Sequence, residues 1–379
     1  MKTIPPYKGF EQGPIRPPSE AESLLIRITR NCPWNRCTFC PVYKDEKFSL
    51  RPVEHVLQDI DAVKAYVEAI IEARKSGARY YGDFIKNGVE DETALHAAYH
   101  FVVGGMKSIF LQDGNSLIIK PDEIITILRH LQHSFPMVQR ITSYARSHTI
   151  ARISNENLEK MAKAGLNRIH IGMESGSDKV LKMVKKGVDK ATQIRAGQKV
   201  KRAGIELSEY FMPGLGGHDL SRDHALESAD ALNQINPDFI RMRSLALPAA
   251  APLTAQYEEG EFDKMGEVAT ARELLLFLES LQGITSKVRS DHVLNLFSEV
   301  NGTLPQDQEK MTDPLRRFLE LDAREQMIFC LGRRTHRLSS LQDLKNPDLR
   351  DPVERMCAEH GATEDNMDQI IGSIMQRFI

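Results

Sequence analysis

Hydrophobic positions between residues 24 and 243 recur in two alternating patterns. Short runs rich in β-branched and aromatic residues predict six strands, at 24–29, 108–111, 140–143, 168–172, 205–211 and 238–243. Apolar residues at helical spacing predict helices between and after them, at 51–76, 91–103, 121–135, 155–164, 190–203 and 219–235. Strands that alternate with helices in this way are typical of βαβ units with parallel strands.

This rhythm predicts an α/β fold, a full or partial (β/α) barrel of about six parallel strands, because one helix follows each strand without an order reversal. From about residue 264 the pattern predicts helices alone, at 267–283, 313–331 and 366–378. Residues 1–22 are rich in Pro, Gly and charge, which predicts an irregular lead-in. The expected domains are this lead-in at 1–22, a barrel core at 23–263 and a helical C-terminal extension at 264–379.

Composition narrows the class of protein. With 41% hydrophobic and 27% charged residues in a chain of 379, whole-chain disorder is excluded. Lys and Arg number 50 against 52 Asp and Glu, so no basic excess is available and no general nucleic-acid binding is expected. No apolar run approaches about 18 residues, and the start lacks a signal-peptide apolar region. We therefore expect a cytoplasmic protein that does not bind membranes.

The sharpest motif follows the first predicted strand and has the form Cys-x4-Cys-x2-Cys, with Cys32, Cys37 and Cys40. Three thiolates on one tight loop suit an iron–sulfur cluster, zinc or Cu(I). Structural zinc and ferredoxin-type clusters need a fourth ligand, and the next cysteines, Cys330 and Cys357, lie far away in the helical tail. A zinc site with one remote ligand stays open as an alternative. On a cube of four irons, three ligands would leave one iron open to a substrate or cofactor.

From Leu24 to Leu253 the chain resembles the radical S-adenosylmethionine (SAM) superfamily, in its broad Elp3/HemN-like group without a cobalamin domain. The resemblance rests on the cysteine loop and on three further segments, FLQDGN at 110–115, IHIGMESG at 169–176 and MPGLGG at 212–217. The family usually spaces its cysteines Cys-x3-Cys-x2-Cys, and this loop has one extra residue before its second cysteine.

The resemblance implies a [4Fe-4S] cluster held by Cys32, Cys37 and Cys40, with SAM bound to the fourth iron. An electron from a low-potential donor, flavodoxin or ferredoxin, would cleave SAM to methionine and a 5′-deoxyadenosyl radical that acts on an unidentified substrate. A dry pocket at the carboxyl ends of the strands would protect this radical. The implied function is a radical SAM enzyme of the iron–sulfur oxidoreductase, lyase or transferase type.

The resemblance also implies a set of SAM contacts near the strand ends. The set consists of Phe39, Asp113, Gly114, Asn115, Ser143, Tyr144, Glu174, Arg195 and Leu247. Segment 113–115 would accept a hydrogen bond from the SAM amino group, and Glu174 would meet the ribose hydroxyls. Arg195 would pair with the SAM carboxylate.

Four members of this set would contact SAM through rings, hydroxyls or apolar atoms. Ser143 and Tyr144 follow the third predicted strand and would touch SAM, whereas Phe39 and Leu247 would lie near the adenine.

The charged members and two other residues also have structural interpretations. Asp113 and Glu174 could be turn acids or helix caps, and an exposed helix arginine such as Arg195 is usually solvated. His170 inside a predicted strand and Cys330 among apolar residues fit a hydrophobic core.

Two further function classes stay open. A carrier or chaperone on the same scaffold, similar to a haem chaperone, would keep the cluster and SAM but turn nothing over. A ferredoxin-like or zinc-stapled interaction protein would need the missing fourth cysteine. Arg241, Arg243 and His218 hint at an anionic group in the substrate, and a tRNA substrate is disfavoured because no RNA-binding appendage is recognisable.

Overall fold

The computed structural model describes residues 4–77, 81–85 and 90–375. Within these ranges the strands are β1 Leu24–Arg27, β2 Thr29–Arg30, β3 Ser49–Leu50, β4 Ser108–Gln112, β5 Arg140–Ala145, β6 Leu166–Glu174, β7 Glu206–Phe211, β8 Phe239–Met242, β9 Lys287–Arg289 and β10 Gly302–Thr303. Eight of them form one sheet in the order β1-β4-β5-β6-β7-β8-β9-β10, and β2 pairs with β3. The sheet is mostly parallel, and β10 joins β9 in the antiparallel sense.

The helices account for most of the remaining described residues. They are α1 Val53–Lys75, α2 Tyr81–Ile85, α3 Glu92–Val103, α4 Pro121–Ser134, α5 Ser147–Arg152, α6 Asn155–Lys163, α7 Asp178–Met183, α8 Lys190–Arg202, α9 Gly217–Ile235, α10 Pro252–Glu258, α11 Glu267–Glu279, α12 Gln308–Leu319, α13 Ala323–Arg334, α14 Pro347–Glu359 and α15 Met367–Met375. None of them is long and apolar enough to cross a membrane, within the ranges given above.

Local sequence signals explain where helices α4 and α6 begin and end. Pro121 opens α4, and acidic residues in its first turn favour the positive end of the helix dipole. The buried stripe of α4 includes Ile124, Leu128 and Leu131, which recur at helical spacing. Ser154 caps α6 by accepting a hydrogen bond from the amide of Asn157, and such caps contribute about 1 kcal/mol.

The chain divides into two compact units. The first comprises Met1–Asn35, Asp45–Ile171 and Ala196–Leu207, and the second Arg36–Lys44, Gly172–Arg195 and Ser208–Ile379. In the first unit β4 is buried along its whole length and lies between β1 and β5. Helix α1 packs against α3 and α4. A strand buried on both faces explains the unbroken apolar run that predicted β4.

The core of the second unit is built around aromatic rings. Phe211 of β7 stacks on Phe277 of α11, with ring centroids 3.9 Å apart. The rings of Phe297, Phe318 and Phe329 meet one another at centroid distances of 5.3 to 5.8 Å. Helix α13 packs against α14 and α15, so the C-terminal helices share the hydrophobic cluster that α9 and α11 enter.

The prediction of an α/β fold with about six parallel strands and a largely helical C-terminal region is confirmed. All six predicted strands are present, within a few residues of their expected bounds. The lead-in has no regular element from residue 4 to residue 17 and one turn of 3-10 helix at Pro18–Glu20. The proposed domain boundaries stay a prediction.

Two expectations beyond residue 264 are corrected. The region is not made of helices alone, because β9 pairs with β8 and β10 pairs with β9. The single helix expected at 313–331 is two helices, since the chain breaks after α12 and Asp322 caps α13 by accepting from the Glu325 amide. The last predicted helix is α15, and its expected residues 376–378 lie outside the described part of the chain.

Candidate functional site

The cysteine loop leaves β1 and β2 as irregular chain. Cys32, Cys37 and Cys40 are all half-buried. The backbone around the second and third cysteines is anchored, because the Thr38 amide donates to the Val184 carbonyl at 3.0 Å. The Lys44 ammonium donates to the Cys37 carbonyl at 2.9 Å.

The other two cysteines are core residues. Cys330 is fully buried and Cys357 nearly so, both inside the hydrophobic cluster of the second unit. Burial raises the pKa of the Cys330 thiol well above its usual range, so this thiol stays protonated. Cys330 therefore packs as a small apolar residue, as the sequence predicted, and does not offer a fourth thiolate.

The donor chemistry of the loop fits an iron–sulfur cluster better than structural zinc. Three cysteines lie on the loop, and Cys330 is buried in the core. Structural zinc requires four protein ligands, whereas a cluster that leaves one iron open requires three. Among residues 4–77, 81–85 and 90–375, no three His, Cys, Asp or Glu side chains form a ready metal-binding group.

In the first unit, Asp113 orders the chain that leads into Cys32. Its carboxylate is fully buried and accepts from the Arg27 Nε at 2.8 Å and from the Asn31 amide at 3.1 Å. A Cβ at Gly13 would come within 2.1 Å of the same carboxylate, so only glycine fits in the lead-in there.

Asn115 joins the ends of β4 and β5. Its side chain accepts from the Arg146 amide at 3.0 Å and donates to the Thr149 hydroxyl at 2.8 Å. Ser143 and Tyr144 were expected after the third strand, and they lie inside β5 instead. Gly114 lies between Asp113 and Asn115, half-buried.

In the second unit, Glu174 ends β6 with a left-handed φ of 64°. Its carboxylate lies 3.3 Å from the Lys186 ammonium, and both side chains are largely buried. The same ammonium lies 5.4 Å from the centroid of the Phe39 ring, within the range of a cation–π contact. Glu174, Lys186 and Phe39 therefore form one small group, and we call it the Glu174 group.

Glu209 of β7 adds a buried acid near the Glu174 group. The side chain is 1% exposed, and its Oε2 has no hydrogen-bond partner. Burial raises the pKa of the Glu209 carboxyl well above its usual range, and the charge of Glu174 raises it further while Lys186 opposes the rise. The carboxyl is therefore protonated under conditions where an exposed glutamate is ionised.

Phe39 and Leu247, both expected near the adenine, share one apolar cluster in the second unit. Leu247 is a buried member, and Phe39 packs against the cluster from its edge. Arg195, expected to pair with the SAM carboxylate, is exposed on α8 and donates to the Thr192 hydroxyl at 3.1 Å. The structure thus brings Phe39 and Leu247 to one cluster and leaves Arg195 outside it.

The glycine-rich loop after β7 is held by polar contacts. Gly214 has a φ of 88°, and its amide donates to Glu273 at 2.7 Å. His224 of α9 bridges the Ser175 hydroxyl at 2.8 Å and the Met212 carbonyl at 2.9 Å. These bonds connect the ends of β6 and β7 to α9 and α11.

Sequence reasoning missed Lys186 and Glu209. Lys186 follows α7 in a pair of lysines, which by sequence resembles a solvated surface charge. The signal for Glu209 was present, because an acid inside the predicted strand 205–211 must either face solvent or be buried at a cost. Only the packing of β7 decides between the two.

The family model described as "Radical SAM superfamily" matches residues 26–229, more than half of the chain. This chain belongs to the radical SAM superfamily. The predicted family is therefore confirmed, and so are the two cofactors that radical SAM proteins use, a [4Fe-4S] cluster and SAM.

Individual relatives match weakly or over part of their length. A tRNA uridine(34) acetyltransferase of Methanocaldococcus infernus is 25% identical over 142 residues, which is 36% of this chain and 26% of that protein. The structure of methylornithine synthase matches with 14% identity and a TM-score of 0.43, over 72% of this chain and 66% of the other. The archaeal Elp3 from M. infernus, with an N-terminal deletion, matches with 16% identity and a TM-score of 0.40, over 56% and 53%.

This radical SAM chain thus spans about a quarter of the length of that curated relative. Radical SAM enzymes in general need an electron donor, which agrees with the expectation that an electron donor is a partner.

Proposed function

We propose that this protein is an enzyme that cleaves SAM reductively and directs a 5′-deoxyadenosyl radical to a substrate, with Cys32, Cys37 and Cys40 holding a [4Fe-4S] cluster. The observation that carries the proposal is a loop with three half-buried cysteines inside the range matched by the family model. Cys330 and Cys357 are committed to the core and do not compete for this role.

The chain's own contacts hold the loop ready for the cluster. When bound, the cluster supplies one electron to the SAM sulfonium and an iron with an open coordination position. Thr38 is fixed on both sides, because its amide donates to Val184 and its carbonyl accepts from the Leu253 amide at 2.9 Å. Lys44 fixes the Cys37 carbonyl, so the loop loses less conformational entropy when the cluster binds.

The Glu174 group has the chemistry to hold the polar parts of SAM. Lys186 carries the cation that a carboxylate needs, and its flexible stem lets the ammonium move from Glu174 to a ligand. Glu174 can accept hydrogen bonds from ribose hydroxyls. We assign the SAM carboxylate to Lys186 in place of Arg195, because Arg195 is exposed and bound within its own helix.

Phe39 and Leu247 supply an apolar cluster of the kind on which an adenine ring packs. Asp113 acts as a positioning residue, since it holds Asn31, the residue before Cys32, through the backbone amide. We also propose the SAM contacts expected from the sequence for Gly114, Asn115, Ser143 and Tyr144. The electron donor is proposed to be a low-potential flavodoxin or ferredoxin.

Anaerobic reconstitution tests the proposal directly. The protein is loaded with iron and sulfide, reduced with dithionite and incubated with SAM, and 5′-deoxyadenosine is measured by chromatography. We expect this product from the native chain and its loss, together with iron, in Cys37→Ala. Cys357→Ala is the matched control and should keep both, because Cys357 lies in the core.

Three outcomes would contradict the proposal. One is protein that takes up zinc and no iron under these conditions, and another is full iron content in Cys37→Ala. The third is a reduced cluster that binds SAM and yields no 5′-deoxyadenosine, which would support the non-catalytic carrier instead.

A further inference from the structure

Two histidines on helix α3 of the first unit lie against each other. His96 and His100 are four residues apart, so their side chains share one face of the helix. Both residues are exposed, and their Nε2 atoms are 3.1 Å apart. Neither belongs to the cysteine loop or to the expected SAM contacts, so the proposed function leaves the pair unused.

The separation of the two nitrogens is that of two ligands on one metal ion. Imidazole nitrogens bind zinc at about 2.0 to 2.1 Å. Two such nitrogens are about 2.9 to 3.4 Å apart when the angle at the metal lies between the octahedral and the tetrahedral value, about 90° and 109°. The observed 3.1 Å falls inside this range, so one ion can be bound without a change in the separation.

Two tyrosine rings hold the imidazoles in this arrangement. The Tyr81 ring of α2 meets the His96 ring edge-on, with centroids 5.7 Å apart, and it meets the Tyr99 ring at 5.4 Å. The Tyr99 ring in turn lies 6.2 Å from that of His100. Because each imidazole contacts a tyrosine ring, less rotational freedom is lost when an ion binds.

The contact between the imidazoles requires that at least one of them is neutral. The Nε2–H of one ring donates to the lone pair on Nε2 of the other, and two protonated rings would place N–H against N–H. A neutral imidazole with a lone pair is the form that binds a metal ion. The pair is therefore in a state from which binding displaces a single proton.

Charges of both signs surround the pair. Glu92 lies one turn before His96 on α3. Burial raises the pKa of Tyr81 and the charge of Glu92 raises it further, so this carboxylate lies on the side of Tyr81. Partial burial lowers the pKa of His100, and the charges of His96 and Arg16 lower it further. Glu92 thus favours a bound cation and Arg16 opposes it.

We propose that His96 and His100 form a two-histidine site for a divalent first-row transition metal ion. In the described ranges no third His, Cys, Asp or Glu side chain joins the two imidazoles, so water would fill the remaining coordination positions. Imidazole suits Ni²⁺, Cu²⁺ and Zn²⁺, whereas Mg²⁺ prefers oxygen ligands. The site goes beyond the proposed function and does not depend on it.

Calorimetric titration with Ni²⁺ tests the site. His96→Gln and His100→Gln should each weaken Ni²⁺ binding at least about tenfold, because a single imidazole cannot chelate. Glutamine is a good helix former at an exposed position, so α3 should stay folded, which circular dichroism checks. His133→Gln, at an exposed histidine of α4, is the matched control and should leave the affinity unchanged.

All chains are prepared in the same way under anaerobic conditions. The cysteine loop is common to every variant, so a difference between variants reports the histidines, whatever metal the loop takes up. Equal Ni²⁺ binding by the native chain, His96→Gln and His100→Gln would overturn the proposal.

The double variant, His96→Gln with His100→Gln, separates a chelate from two independent histidines. For a chelate, the second substitution weakens binding little beyond the first, because the first already leaves a single-point contact. Two independent histidines would keep their own affinities, and each single variant would lose half of the Ni²⁺ that depends on the pair. That second pattern would overturn the proposal.

The class of ion is tested with Mg²⁺. We expect an equal concentration of Mg²⁺ to leave Ni²⁺ binding by the native chain unchanged, because two imidazoles offer Mg²⁺ no oxygen ligand. Displacement of the histidine-dependent Ni²⁺ by Mg²⁺ would overturn the assignment to a nitrogen-ligated transition metal.

Discussion

Two buried glutamates in this protein are held in opposite states. Glu20 in the first unit is fully buried and Glu209 in the second is 1% exposed, so solvent access does not distinguish them. Burial by itself would raise the pKa of both carboxyls. The two pKa values differ in direction because the groups that surround each carboxyl differ.

Glu20 is surrounded by donors. Burial alone would raise its pKa, but hydrogen bonds from His170 and Ser23 and the charge of Arg140 outweigh burial and lower the pKa to about 2. The Ser23 hydroxyl donates at 2.6 Å, and the Arg140 guanidinium lies at 3.1 Å. This acid anchors the end of the lead-in to the strands of the first unit.

One oxygen of the Glu209 carboxyl, Oε2, has no hydrogen-bond partner. An unsatisfied buried acid costs stability, and such groups cluster at functional sites. Burial by itself therefore does not distinguish the candidate site. The distinguishing feature is a buried acid with one unsatisfied oxygen, near a lysine whose ammonium can turn to a ligand.

The largest effect is expected from Glu20→Gln. A shift from 4.5 to about 2 corresponds to roughly 3 kcal/mol of stability at neutral pH. Because the folded pKa is lowered, this stability is present above about pH 4.5 and is lost as pH falls toward 2. Urea unfolding at pH 7, 5 and 3.5 should show a difference between native and variant chains that shrinks with acidity.

The control for this experiment is Glu156→Gln, which removes an exposed acid paired with Lys160 on α6. Exposed pairs contribute little, so its unfolding midpoint should hardly move. A difference for Glu20→Gln that is the same at all three pH values would show that its carboxylate charge is not the stabilising feature.

The next effect in size is expected from Lys186→Met, which changes the surroundings of Glu209. It removes the cation beside Glu174 and Glu209, so SAM affinity should fall at least about tenfold in a calorimetric titration of reconstituted protein. Lys182→Met on α7, an exposed lysine, is the matched control. If Arg195→Met lowers the affinity and Lys186→Met does not, the assignment made from the sequence was right.

Glu209→Gln should give the smallest change and the opposite sign to Glu20→Gln. Because the folded pKa of Glu209 is raised, the native chain loses stability as pH rises above about 4.5, and the variant avoids this loss. The variant should be more stable by about 1 kcal/mol at pH 8 and equal at pH 4, by urea unfolding. A variant that is less stable at pH 8 would contradict the view that the buried Glu209 carboxyl, with its unsatisfied Oε2, destabilises the fold.

The fold was predictable wherever one element carries its own signal. β4 contains the apolar run Ile109–Leu111, and α4 opens with Pro121 and two acids. β9 was not predictable, because Lys287–Arg289 contains a single apolar residue and becomes a strand through pairing with β8. Short segments of this kind take their structure from their neighbours.

The candidate site was likewise predictable from the sequence only in part. The amino-acid sequence by itself determined the spacing of three cysteines and the family they indicate, because covalent spacing limits which thiolates can share a centre. Only the tertiary structure decided that Lys186, and not Arg195, lies beside Glu174, and that Glu209 is buried with its Oε2 lacking a hydrogen-bond partner. The charge that a ligand meets depends on distances and burial between segments far apart in the chain, and no local pattern encodes these.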